Sequence, residues 1–359
     1  PFYMEKEMAE QPRVIARMLE EKTTEGLPDF SGEQVPDSLL TSCESVCIIA
    51  CGSAMHAGLA GQFLMKKFLH IPVSVEMASE FMYTDPVVDE KTLVIAVSQS
   101  GETIDTLEAL KYAKQKGAGS LAVINVKGSS IARESDAVLY TNAGPEIAVA
   151  STKAYTSQLA LFALLVARMA YVRGDFTETE TRDFVRELKR VPDAMEKVLA
   201  GKEKIHHIAG RIISAKDIFM IGRGLDYFIA MEGSLKLKEV SYIHSEAYAS
   251  GELKHGPLAL ITEHTPVVAV ATQKQLLSKE VSNIREVRSR GADVVLFAKE
   301  QLMPEEEEGY LTFELPDVQD EFMCLPAAAA LQLLAYYVSS DKGYDVDKPR
   351  NLAKVVTVE

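Results

Sequence analysis

Short apolar runs rich in Val, Ile and Ala alternate along this chain with longer stretches in which apolar residues recur every three or four positions. The runs Ser45–Ala50, Pro72–Ala78, Thr92–Val97, Ser120–Val126 and Ala137–Tyr140 predict strands. Ala54–Leu69, Glu102–Lys116 and Thr152–Val172 predict the helices between and after them. Ahead of this series, Met4–Glu20 reads as an N-terminal helix and Thr23–Ser38 as a Gly-, Pro- and acid-containing loop. A charged helical connector, Thr179–Leu199, leads to a second series. There Asp217–Ile221, Pro266–Ala271, Asp293–Ala298 and Leu311–Leu315 predict strands, and Tyr227–Val240, Leu276–Arg290 and Leu325–Ser340 predict helices. Near-continuous apolar strands alternating with helices imply an α/β protein whose mostly parallel sheets are covered on both faces.

The two series look like one unit repeated. Gly52 opens the first helix of one, and Gly222 and Gly224 the first helix of the other, an offset of 170 from Gly52 to Gly222; the strand ending at Val97 matches that ending at Val270, an offset of 173. A shared strand–glycine–helix rhythm of two unrelated α/β domains is the alternative. The copies differ in one loop. After Val97 comes Ser98-Gln99-Ser100-Gly101-Glu102-Thr103; after Val270 comes Ala271-Thr272-Gln273-Lys274-Gln275-Leu276.

Length and charge narrow the function classes. A chain of 359 residues suits two domains. With 38 Lys and Arg against 52 Asp and Glu its net charge is −14, which repels nucleic acid and anionic lipid; no basic patch or DNA-reading module stands out. The four cysteines, Cys43, Cys47, Cys51 and Cys324, form no metal-binding or disulfide spacing and read as reduced core residues of a cytoplasmic protein. No apolar run approaches the ~20 residues of a membrane span, and no signal peptide is evident. A start at Pro1 rather than methionine reads as a piece of something longer.

Three segments carry candidate chemistry. In Ser98–Thr103, a strand ends and a helix starts, presenting unpaired N–H groups together with neutral hydroxyls and a glycine that allows close backbone approach. That set suits a phosphate monoester; an ordinary Ser or Thr helix cap is the alternative. In Glu232–His255, Glu232, Lys236 and Glu239 share a helix face amid Leu235, Leu237, Val240, Tyr242 and Ile243. A partly desolvated carboxylate there could shuttle protons between adjacent carbons, whereas a solvated ion-pair ladder would be structural only. His255, before Gly256-Pro257, is either a structural histidine or an acid/base group. The tail Gly343–Glu359 is apolar and β-branched near its end, as a docking segment would be. Its Lys354 is a surface charge or, if enclosed, a Schiff-base nucleophile.

Together these segments resemble the isomerase domain of the glutamine–fructose-6-phosphate amidotransferase family, the glucosamine-6-phosphate synthases. The resemblance spans nearly the whole chain. It is carried by ACGS (Ala50–Ser53), ASEF (Ala78–Phe81), SQSGETIDTL (Ser98–Leu107), GSSIARESD (Gly128–Asp136), NAGPEIAVASTKAYTSQL (Asn142–Leu159), GRG (Gly222–Gly224), EGSLKLKEVSYIHSEAYASGELKHGPLALI (Glu232–Ile261) and DVDKPRNLAKVVTVE (Asp345–Glu359). The serine loop is common to phosphosugar-binding sugar-isomerase domains; GELKHGPLALI and PRNLAK are more specific. The fold implied is two tandem doubly wound parallel-sheet domains, flavodoxin-like and related by duplication. Boundaries would be 1–40 for the N-terminal helix and linker, 41–175 for the first domain, 176–215 for the connector, 216–342 for the second domain, and 343–359 for a tail over the active site.

The resemblance implies roles as well. Ser98, Gln99, Ser100 and Thr103 would bind the sugar phosphate with Ser53 nearby, while Val149, Ser151 and the Ala353 backbone would contact the sugar. Glu239 would move a proton between C1 and C2 with Lys236 beside it, His255 would assist ring opening in a neighbouring subunit of a homodimer, and Lys354 would hold the open sugar as an imine. Fructose-6-phosphate and ammonia would give glucosamine-6-phosphate with no metal or organic cofactor, the ammonia coming naturally from a glutaminase domain that this sequence lacks. At position 54 the family has Ser and this chain has Ala54, so one hydroxyl contact should be missing, worth about 0.5–1.5 kcal/mol. A catabolic amino-sugar- or fructosamine-phosphate deaminase or deglycase, and a non-catalytic sugar-phosphate sensor, are the rival readings.

Overall fold

The computed structural model describes residues 2–303 and 310–356. The strands of its two five-stranded sheets are β1 Ser45–Ala50, β2 Val73–Met77, β3 Thr92–Ser98, β4 Gly119–Ile124, β5 Ala137–Tyr140, β6 Asp217–Gly222, β7 His244–Ala249, β8 Pro266–Ala271, β9 Asp293–Lys299 and β10 Leu311–Leu315. Its longer helices are α1 Tyr3–Glu21, α2 Gly52–Leu69, α3 Ile104–Gln115, α4 Lys153–Arg173, α5 Glu178–Leu188, α6 Val191–Ala200, α7 Lys202–Ile212, α8 Leu225–Ser241, α9 Leu277–Arg288 and α10 Cys324–Asp341. The chain divides into two compact units. One holds Arg13–Glu146, Lys153–Arg190 and Ala353–Glu359; the other holds Pro1–Pro12, Ile147–Thr152 and Val191–Leu352.

In the first unit the strands pair in the order β2-β1-β3-β4-β5, all parallel. The central strand β3 is buried at every position, which is why it reads as an unbroken apolar run. On one face Ile49, Val94, Ala96, Ala122 and Ile124 pack with Leu110 and Ala113 of α3. Helix α2 packs on α4, and Gly61 permits the close approach, since a Cβ there would sit 2.6 Å from the Phe162 ring. Helix α5 starts on a reciprocal cap in which Thr177 accepts the Glu180 amide and Glu180 accepts the Thr177 amide.

The second unit repeats that order as β7-β6-β8-β9-β10, again all parallel. The predicted α/β architecture of two doubly wound parallel sheets is therefore the observed one. In this order the connection reverses between the first and third strands of each sheet, opening a crevice at their carboxyl ends. In the first unit that crevice lies between Ser53 and the Ser98–Thr103 loop.

Three departures from the sequence expectations have physical causes. The edge strand β7, HSEAYA, lies on the sheet margin with exposed positions, so it carries no apolar run. The connector holds a further helix, α7, whose buried Ile205, Ile208, Ala209 and Ile212 follow helical spacing. Among the described residues two helices are also long and apolar enough to cross a membrane, contrary to the sequence expectation: Lys153–Arg173 and the stretch Asp320–Asp341, with 83% and 100% of their apolar windows buried inside the fold. Both serve as core helices, and their hydropathy reflects burial by protein on all sides.

Candidate functional site

The serine loop is a closed turn whose own backbone sets its hydroxyls. Gly101 has φ +66°, and a Cβ on it would fall 2.0 Å from Ser129 Oγ, so only glycine fits. The Gly101 amide donates to Ser98 Oγ at 3.0 Å, and the Glu102 amide to Ser100 Oγ at 3.1 Å. Each serine oxygen is thereby an acceptor toward the chain, which leaves each hydroxyl hydrogen available as a donor. Ser98 Oγ lies 3.0 Å from Thr103 Oγ1. A hydrogen donated there frees the Thr103 hydrogen for a ligand.

The helix starts at Ile104, two residues later than its pattern suggests, because the turn occupies Gly101 to Thr103. Thr103 stands at the cap position, yet its hydroxyl makes no cap hydrogen bond. The plain helix-cap alternative leaves that unexplained. The far end of the loop is tied down by Glu102, which accepts the Ser130 amide at 2.8 Å; the Ser130 hydroxyl and amide hold its carboxyl below the usual range. The Gln99 carbonyl accepts the Asn125 amide at 3.2 Å. Ser53 is half-buried in the first turn of α2, next to Ala54.

The end of the carboxyl-terminal tail, from Ala353 on, belongs to this same unit. The Val356 carbonyl accepts the Ile104 amide at 3.3 Å, so the tail reaches the first turn of the helix that the serine loop opens. Ala353 is exposed, while Lys354 Nζ lies 2.5 Å from Glu146 Oε2, the lysine side chain 21% exposed and the carboxylate side chain fully buried. Residues 357–359 of the tail lie outside the described residues.

The other unit holds the remaining candidates. Lys236 Nζ is 2.5 Å from Glu239 Oε2 and 3.5 Å from Glu232 Oε1. Lys236 and Glu232 are buried, with Glu239 about one-fifth exposed, so this is no solvated ladder. His255 ends a short 3-10 turn, exposed, and is followed by Gly256 at φ +147°. The half-buried Val149 donates its amide to the Asp347 carbonyl at 3.0 Å, and Ser151 is half-buried as well. Among the described residues no cluster of His, Cys, Asp or Glu is arranged to hold a metal.

A family model for the SIS domain matches residues 39–168 and again 211–339. The chain belongs to the SIS-domain family. Over 99% of its length it is 49% identical to the glutamine–fructose-6-phosphate aminotransferases [isomerizing] of Caldanaerobacter subterraneus and of Clostridium acetobutylicum. It spans 59% of each of those relatives. Among solved structures, the C-terminal domain of glucosamine-fructose-6-phosphate aminotransferase from Francisella tularensis superposes with TM-score 0.93 at 38% identity, covering 97% of this chain and 98% of that one. A glucosamine-6-phosphate deaminase from Thermotoga maritima shares the fold at TM-score 0.76 and 22% identity, over 99% of both chains.

The second SIS copy has different chemistry at the end of its corresponding strand. At the end of β8 the Thr272 amide and hydroxyl donate to Asp226 at 2.7 and 2.5 Å. Asp226 is buried in the first turn of α8, and burial pushes its carboxyl up to about 7. Nearby, Ser250 donates to the buried Glu280 at 2.8 Å, and desolvation pushes that carboxyl to about 7 as well. The copy without the serine loop instead holds a buried carboxylate against the residues that follow its third strand.

Reasoning from residue types alone passed over Glu146 and Ser129. Glu146 had one legible signal: a lone carboxylate between Pro145 and the apolar Ile147–Ala150, ahead of α4. Ser129 had none, because its position against Gly101 depends on the turn.

Proposed function

We propose that this chain is the sugar-phosphate isomerase module of a glutamine–fructose-6-phosphate aminotransferase, converting fructose-6-phosphate and ammonia to glucosamine-6-phosphate in hexosamine biosynthesis. The observation that carries the reading is the tail: Lys354 is paired with a buried carboxylate, two residues before Val356 makes a backbone bond to the helix behind a phosphate-type hydroxyl loop.

In this reading Ser98, Gln99, Ser100, Thr103 and Ser53 hold the phosphate through neutral donors, and Val149, Ser151 and the Ala353 backbone contact the sugar. Fixing the phosphate fixes C1 and C2, which turns proton transfer into an effectively intramolecular step. His255, supplied by the second subunit of a homodimer, opens the ring. Lys354 condenses with the C2 carbonyl to an imine, which ammonia displaces. Glu239, oriented by Lys236, carries the proton from C1 to C2. The aldose–ketose exchange needs no electron acceptor. The domain boundaries proposed are those of the sequence: first SIS domain 41–175, connector 176–215, second 216–342, tail 343–359. A cytoplasmic location and a glutaminase domain as ammonia source belong to the same proposal.

The test is product formation. The chain incubated with fructose-6-phosphate should yield glucose-6-phosphate, and with added ammonia glucosamine-6-phosphate, while glutamine yields none. Synthesis from glutamine by this chain alone, or no turnover of fructose-6-phosphate, rejects the reading.

A further inference from the structure

The Glu146 side chain is fully buried, and a carboxylate out of water persists as an anion only where donors replace its hydration. Two donors of different kinds do so here. Oε1 accepts the Ala154 amide at 3.0 Å in the first turn of α4, the positive end of a 21-residue helix. Oε2 faces Lys354 Nζ at 2.5 Å. The lysine comes from a tail whose Leu352, Ala353, Val355 and Val356 are exposed. A side chain on such a tail has many rotamers to lose before it can react, and Glu146, fixed by the helix, selects one.

We propose that Glu146 is a positioning residue for Lys354: it holds the ammonium in place before the sugar arrives, and it takes and returns the proton that imine formation moves. The proposal rests on the imine reading above. An ammonium has no lone pair with which to attack a carbonyl. Transfer of one proton from Nζ to Oε2 leaves a free amine and a neutral carboxylic acid. The amine lone pair forms the N–C2 bond as the C2–O π pair moves to oxygen, and a proton passes from nitrogen to that oxygen. Glu146 then returns its proton to the carbinolamine nitrogen, which passes one on to the hydroxyl; water leaves, and the nitrogen lone pair closes the C=N bond. The cationic iminium again faces the Glu146 carboxylate. One water is released and nothing is oxidised. Glu146 reaches the sugar only through Lys354.

The experiment is borohydride trapping of the full chain with fructose-6-phosphate, reading the Lys354 adduct by mass, beside the dissociation constant of glucose-6-phosphate and a thermal melt. Glu146→Gln should slow trapping by ~10²-fold, while glucose-6-phosphate binding stays within about threefold. Because the proton must then leave to solvent, the variant's trapping rate should climb more steeply between pH 7 and 9 than that of the wild type. Glu146→Asp, which keeps the charge, should recover part of the rate and cover the case in which the glutamine variant folds poorly. Trapping by Glu146→Gln at the wild-type rate, or a loss matched by lost sugar binding with an unchanged pH profile, overturns the proposal and leaves the imine reading standing. A wild-type chain that forms no Lys354 adduct overturns both.

Discussion

The amide of Ile104 donates to the carbonyl of Val356 at 3.3 Å, joining the first turn of the serine-loop helix to the carboxyl-terminal tail. The described residues around that bond on the tail side are exposed, so the tail contributes little burial. Removing residues 353–359 gives up little burial but strips Lys354 from the buried Glu146 carboxylate, so it should cost about 1–3 kcal/mol. Fructose-6-phosphate isomerisation should fall to background in the same variant. A coupled glucose-6-phosphate assay beside a thermal melt checks both halves.

Ser98 and Thr103 should separate stability from binding. Ser98→Ala takes the acceptor from the Gly101 amide, a buried glycine, and should cost about 1–3 kcal/mol in stability. Thr103→Val removes a hydroxyl that holds no backbone amide in its own cap. It should raise the glucose-6-phosphate dissociation constant about 2–12-fold, the worth of one neutral hydrogen bond, with little effect on the melt. Titration calorimetry and urea unfolding of the two variants make the comparison.

Gly101→Ala should be among the most damaging small changes in the loop. The new Cβ would sit 2.0 Å from Ser129 Oγ and 2.6 Å from Ser129 Cβ, on a backbone held at φ +66°. Ser129→Gly in the same chain removes the clash but leaves the left-handed strain of about 1–2 kcal/mol. The double variant should recover only part of the lost stability. Full recovery in urea unfolding would show that the backbone angle costs nothing there.

Lys236 and Glu239 should part company as well. Lys236 is the cation that Glu232 and Glu239 both face, so Lys236→Met should destabilise the chain by about 3–5 kcal/mol. Glu239→Gln, which leaves Glu232 to face the lysine, should cost less stability than Lys236→Met while abolishing deuterium exchange at C1 and C2 of the sugar. Exchange at the wild-type rate would remove Glu239 from the mechanism.

Asp226 makes stability depend on pH in the acid-favouring sense. Its carboxyl is raised from 3.8 to about 7 in the folded chain, so between those values the folded state binds a proton that the unfolded state has lost. Its contribution to stability is thus intact below about pH 4 and is lost as pH rises through about 7. Asp226→Asn removes the titration. The variant should gain on the wild type by on the order of 3 kcal/mol between pH 5 and pH 8, read from urea midpoints at the two values.

Much of the fold was legible because burial on both faces writes itself into composition. β8 and β10 begin and end where their apolar runs do, and β3 is apolar up to the serine on which it ends. β7 escaped because an edge strand faces water and alternates weakly. The serine loop was legible as a donor set, since Ser, Gln, Ser, Gly and Thr between a strand and a helix is itself a chemical statement. The Thr103–Ser98 bond was not, because a cap residue and a network residue look alike until the turn is closed.

By itself, the sequence determined the α/β class, the repeat, the neutral character of the loop, and the helix face shared by Glu232, Lys236 and Glu239, since each depends on neighbours a few positions apart. Tertiary structure alone decided that Lys354 pairs with Glu146, 208 residues away, and that the buried Asp226 accepts the Thr272 amide. Periodicity encodes which way a side chain faces along its own element. It carries no record of which distant element the chain brings to meet it.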